Sequence, residues 1–158
     1  MTTEHGTTPG DESQREGEPR AFLERFASGF AALTADNLDT LGQLYSDDVR
    51  FQDPLHKIHG LPAMRAYFEQ LYANVEDLRF QFHGYDQLAP GAGYLRWTMT
   101  YRHPRLNGGK PVDVDGCSHL LWHEKVYAHR DYFDAGALLY EHLPVMGRII
   151  KWLKGRLA

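Results

Sequence analysis

The chain has 158 residues, a single cysteine, a net charge of −4 and 13% aromatic side chains. That length suits one domain that buries roughly two thirds of its unfolded surface, and the lone Cys117 cannot close an internal disulfide, so a reducing compartment is the easier reading. The negative balance excludes general nucleic-acid binding, which needs a basic face; with no apolar leader and no apolar run near the ~18 residues of a membrane span, the expectation is a cytoplasmic protein.

Residues 1–19 are Thr, Glu, Gly and Pro with almost nothing to bury, which predicts a disordered tail and a fold beginning at Arg20. Phe22, Leu23, Phe26, Phe30 and Leu33 then recur at helical spacing, with a stop near Thr34-Ala35-Asp36-Asn37. A second short helix carries Leu38, Leu41, Leu44 and Tyr45. A strand over residues 49–53 follows, in which Val49, Phe51 and Asp53 share one face. The side that buries the two apolar residues therefore aims the Asp53 carboxylate inward, and Pro54 ends the strand. Two readings of Asp53 stand together: loss of water turns a carboxylate into a usable base, and Asp before Pro also hydrogen-bonds the turn that follows, here the one leading to His59-Gly60. A third helix starts at His59-Gly60-Leu61-Pro62, with Met64, Tyr67, Phe68, Leu71 and Tyr72 on one side and Pro62 near the first turn, where a missing N–H costs nothing.

After Asp77 the period changes to two. Leu78, Phe80 and Phe82 alternate with polar residues, Pro90-Gly91-Ala92-Gly93 makes a turn, and Leu95, Trp97, Met99 and Tyr101 form the next apolar face. Asn107-Gly108-Gly109-Lys110 is the strongest hairpin signal and precedes a strand over residues 112–123. The last strand spans residues 126–133, with Tyr127, His129, Asp131 and Phe133 on one face. Helices first and hairpin-linked strands afterwards describe an α+β domain over residues 20–134, a curved, mostly antiparallel sheet whose concave face is closed by three N-terminal helices. Residues 135–158 add a C-terminal amphipathic helix: Met146, Ile149, Ile150, Leu153 and Leu157 form its stripe, opposite Arg148, Lys151 and Lys154. That helix either packs on protein, which Pro144 and Gly147 favour, or makes peripheral contact with a membrane surface.

The motifs Tyr45-Ser46-Asp47-Asp48, Asp53-Pro54 and His59-Gly60, followed by Arg130-Asp131-Tyr132-Phe133-Asp134 on the last strand, resemble the nuclear transport factor 2-like superfamily. Within it the chain is similar to SnoaL-like polyketide cyclases, ketosteroid isomerases and limonene-epoxide hydrolases. The resemblance covers residues 20–134 and implies a cone-shaped pocket on which many chemistries are grafted. It also implies residue roles. Asp53 falls where ketosteroid isomerases carry their base, but the positions of their oxyanion-hole Tyr and second Asp fall near Gly29 or Phe30 and on Ser118. Asp131 falls on the last-strand Asp of the epoxide hydrolases, whose other two catalytic positions are occupied here by Trp97 and Met99. It also falls on the acid/base Asp of the cyclases, with His129 on the same face.

If Asp53 and Asp131 both face inward, alternation lines the cavity with Phe51, Trp97, Met99, Tyr101, Tyr127 and Phe133, joined by Tyr67 and Phe68 from the third helix. Its polar groups are then Asp53, His56, Ser118, His129 and Asp131. Such a lining suits an apolar ligand with one or two polar handles, although an aromatic stripe is equally the make-up of a packed core. Asp113, Asp115, His119 and His123 share a strand face but form no compact ligand set, so no metal is expected, and no cofactor fingerprint is present. The expected function is cofactor-independent isomerisation, cyclisation or hydration, with Asp131, Asp53 and His129 as the catalytic set, in a homodimer formed through the sheet. The rival is a non-catalytic binding or assembly module for a lipid or other hydrophobe.

Overall fold

The computed structural model describes residues 10–136 together with residues 152, 155 and 156. Helix α1 (Gly10–Ala31) leads through a 3-10 turn (Leu38–Thr40) and one turn of helix α2 (Leu41–Leu44) into strand β1 (Tyr45–Gln52). Strand β2 (Lys57–His59) and helix α3 (Leu61–Asn74) follow, then β3 (Glu76–Ala89), β4 (Ala92–Arg102), β5 (Val112–Trp122) and β6 (Val126–Phe133). The six strands form one mixed sheet in the order β2-β1-β6-β5-β4-β3, in which the β1–β6 pair is parallel and the others antiparallel. The fold is therefore α+β, with three helices among the described residues.

Several boundaries differ from the sequence reading. Helix α1 begins at Gly10, so residues 10–19 carry helical backbone where a disordered tail was expected. A helix satisfies its backbone hydrogen bonds internally, so a sequence with few apolar residues is not barred from it. Residues 1–9 lie outside the described residues, as does most of the expected C-terminal helix; of that segment, Trp152 is exposed with the Arg156 guanidinium 4.6 Å from its ring centroid. Tyr45 belongs to β1 rather than to the second helix, because the backbone turns extended at that residue. The spacing Leu38, Leu41, Tyr45 suits a helix and the spacing Tyr45, Val49, Phe51 suits a strand, and pairing with β6 decides between them. Strand β2, three residues long, carries too little pattern to be read from sequence.

The core explains the rest. Leu23, Phe26, Ala27 and Phe30 of α1, with Met64 and Phe68 of α3, pack on the inward side chains of β1, β4, β5 and β6. Gly60, at φ +88°, is the N-cap of α3, and its N–H donates to the Val49 carbonyl at 2.8 Å, which ties the helix start to β1. Gly116 on β5 lies opposite Trp97 on β4, and a Cβ there would come within 2.3 Å of the indole. The missing side chain is what lets the Trp97 ring approach the β5 backbone.

Candidate functional site

Strands β1 and β6 run parallel with Phe51 opposite His129 and Gln52 opposite Arg130. Continuing that register brings Asp53, just past β1, level with Asp131 on β6. A cavity of about 510 Å³ opens there between the sheet and α3, walled by Phe30, Phe51, Phe68, Trp97, Met99 and Tyr101. Asp53, His56, Tyr67, Asp131 and Phe133 also reach it, so most of the lining expected from alternation is assembled.

Asp53 is 6% exposed and its carboxylate is heavily engaged. Oδ1 accepts from the backbone N–H groups of Leu55 at 2.7 Å and His56 at 2.6 Å, and Oδ2 accepts the Tyr67 hydroxyl at 2.9 Å. The His56 ring Nδ1 lies 3.0 Å from both oxygens. Asp53 thus organises the β1–β2 turn and also presents to the cavity, uniting its two sequence readings. Burial first, and then the Asp53 charge, hold the Tyr67 phenol well above the ordinary tyrosine range, so it stays a donor.

Asp131 is built differently. Ser118, its cross-strand partner on β5, donates to Asp131 Oδ1 at 2.5 Å, and His129 Nε2 lies 2.7 Å from the same oxygen. Trp97 Nε1 donates to Ser118 Oγ at 2.8 Å, and the Tyr45 hydroxyl lies 2.8 Å from His129 Nδ1. Because a carboxylate only accepts, the proton on His129 sits at Nε2, and Nδ1 takes the Tyr45 hydrogen. Burial first, then the Asp131 charge, push the Tyr45 phenol well above its usual range, consistent with its role as donor. Two short chains of donors therefore converge on Oδ1, and Oδ2 is the oxygen Asp131 can offer to a molecule in the cavity. This arrangement can take a proton from, or return one to, a bound ligand.

Three expected lining residues sit elsewhere. Ser118 and His129, both 3% exposed, lie behind Asp131 and act on its carboxylate. Tyr127 is displaced: Trp122 pairs with Val126 and Leu121 with Ala128, so a bulge skips Tyr127, and its ring stacks on His123 instead, 4.7 Å between centroids. That bulge breaks the parity on which the Tyr127 expectation rested, because Val126 and His129 both face inward.

The sequence reading missed Tyr45, which shares the inward parity of Val49 and Phe51, and it missed the outer lining. Leu71 and Asn74 lie four and seven residues beyond Tyr67 on α3, and His103, Arg105 and Leu106 lie in the β4–β5 connection. No group of three or more His, Cys, Asp or Glu side chains fit to hold a metal occurs among the described residues. Asp113 and Asp115 instead accept the hydroxyls of Thr100 and Thr98, each at 2.6 Å. Burial, then Asp131, raise the Cys117 thiol, which lowers its reactivity.

The SnoaL-like domain family matches residues 20–125. Among solved structures, TsrD from Streptomyces laurentii is 20% identical with a TM-score of 0.67, covering 79% of this chain and 96% of its own. A hypothetical protein with a ketosteroid isomerase-like fold from Catenulispora acidiphila, in complex with trimethylamine, is 16% identical with a TM-score of 0.66, covering 87% of this chain and 96% of its own. An LEH-like epoxide hydrolase from M. tuberculosis is 19% identical with a TM-score of 0.60, covering 75% and 86%. These likenesses establish the fold. No curated protein sequence matches the chain.

Proposed function

The chain belongs to the SnoaL-like domain family, and from that membership we propose that it binds a largely apolar small molecule against Asp131 and performs cofactor-independent acid/base chemistry on it. The observation that carries this reading is the asymmetry of Asp131: Ser118 and His129 both bond Oδ1, and the residue lines an aromatic cavity. Asp131 is the acid or base. His129, held by Tyr45, is a positioning residue, and Asp53 is a second carboxylate that fixes Tyr67 and His56 at the wall. Isomerisation, cyclisation and hydration are the reaction classes such a site serves, since each turns on one proton moved at a desolvated centre. Homodimerisation through the outer face of the sheet and a cytoplasmic location belong to the same proposal. Among the described residues no helix is long and apolar enough to cross a membrane.

A second reading has its own support. Both Asp53 oxygens are taken, and Ser118, which falls where the resemblance implies an oxyanion donor, gives its hydrogen to Asp131. A site without a free oxyanion donor suits a non-catalytic binder of hydrophobes.

Native mass spectrometry of freshly purified protein, followed by denaturing extraction, identifies a retained ligand, which is then supplied to the parent and to Asp131→Asn. Loss of conversion with binding retained supports the enzyme. Equal conversion by the two proteins defeats the acid/base role, and binding without conversion by either establishes the binder.

A further inference from the structure

The cavity is bipolar along its depth. Its two carboxylates, Asp53 and Asp131, are at the inner wall, whereas the exposed lining residues that form its mouth are Leu55, His56, Gln70, Asn74 and Arg105, with half-buried His103 beside them. Among the described residues the exposed lining includes no carboxylate, and Asp53 lies behind the His56 ring, whose Nδ1 is 3.0 Å from both of its oxygens. Glu76 and Asp77, the acids nearest in sequence to the lining residues Val75 and Leu78, are both turned to Arg102, with Asp77 Oδ2 at 2.5 Å from Nη2. Arg105 has no carboxylate partner among the described residues, and its backbone N–H donates to His103 Nδ1 at 3.1 Å. That bond leaves His103 Nε2–H as a donor.

Resting on the reading of this cavity as a ligand site, we propose that the ligand is an amphipathic anion. Its carboxylate or phosphate head group is held at the mouth by the Arg105 guanidinium and His103 Nε2–H, and its apolar body lies along the aromatic wall toward Asp131. Two physical arguments fix the orientation. A guanidinium pairs with a carboxylate or phosphate through two parallel hydrogen bonds, whereas a head group placed inward would meet two carboxylates of its own sign. The body, not the head, then presents its reacting carbon to Asp131.

The test uses the full chain and a neutral naphthylamine probe that fluoresces in apolar cavities, displaced by dodecanoate, dodecyl phosphate or dodecanol. The anions are expected to compete about tenfold better than the alcohol, the size of one charge-assisted contact at a partly wet rim. Whichever anion competes better identifies the head group. Arg105→Gln is expected to bring anion and alcohol to parity, while Arg96→Gln, whose guanidinium faces Asp86 at 2.9 Å instead, keeps the preference. Equal competition by acid and alcohol in the parent, or a preference that survives Arg105→Gln, overturns the head-group proposal and leaves the cavity reading intact. A parent that binds neither probe nor amphiphile overturns both.

Discussion

Asp53 and Asp131 stand at the ends of two neighbouring parallel strands, at the same level and against the same cavity, and yet they are held by opposite means. Asp53 accepts at Oδ1 from the backbone of its own turn and at Oδ2 from the Tyr67 hydroxyl of α3, so its bonds are spread over both oxygens and tie the turn to the helix. Asp131 accepts only from side chains, Ser118 across on β5 and His129 two residues back on β6, and those bonds converge on one oxygen. The difference teaches that a buried carboxylate in an aromatic cavity is not by that fact a base. What matters is whether an oxygen remains for the ligand.

The largest expected effect separates the two directly. Asp131→Asn should lower turnover of the extracted ligand by about 10²–10⁴-fold, the usual contribution of a general acid or base, with little change in thermal stability. Asp53→Ala should do the reverse of this in kind, costing about 2–4 kcal/mol in urea unfolding because two backbone N–H groups and the Tyr67 hydroxyl lose their acceptor. If Asp53→Asn instead removes turnover at unchanged stability, the assignment of the two roles is inverted.

A third effect is read in pH. Tyr45 and Tyr67 hold their protons in the folded protein above the ordinary value of 10.0. The unfolded chain releases those protons first, so the stabilisation is complete below about pH 10 and declines as pH rises beyond it, by up to about 1.4 kcal/mol per pH unit for each tyrosine. Urea midpoints across that range should fall more gently in Tyr67→Phe. The smallest effect is that of Tyr45→Phe, which removes one hydrogen bond to His129 and should cost about 1 kcal/mol. Freed of that donor, His129 Nδ1 is open to a proton while Nε2–H stays on Asp131, and the pH profile of turnover should shift even though Tyr45 never touches the ligand. An unshifted profile would reduce Tyr45 to a packing residue.

Much of this was legible in the chain. Val49-Arg50-Phe51-Gln52-Asp53 shows by alternation alone that Asp53 faces the side that buries Phe51, and the same rule aims Trp97, Met99 and Tyr101 into the wall. Where alternation failed, it failed for a stated reason. One bulge reset the parity of β6 and moved Tyr127 out of the site. The hydrogen bonds of Ser118 and His129 were not visible either, since each depends on which oxygen of Asp131 its neighbour reaches.

By itself the sequence determined the α+β order of elements, the inward faces of β1, β4 and β5 and the two carboxylates worth asking about, because side-chain period is a local property of the backbone. Tertiary structure alone decided that β1 lies parallel to β6, so that residues 53 and 131 meet, and that Tyr45, His129, Ser118 and Trp97 converge on one oxygen. Those relations join residues up to 84 positions apart, and no local period records which distant strand will supply a partner.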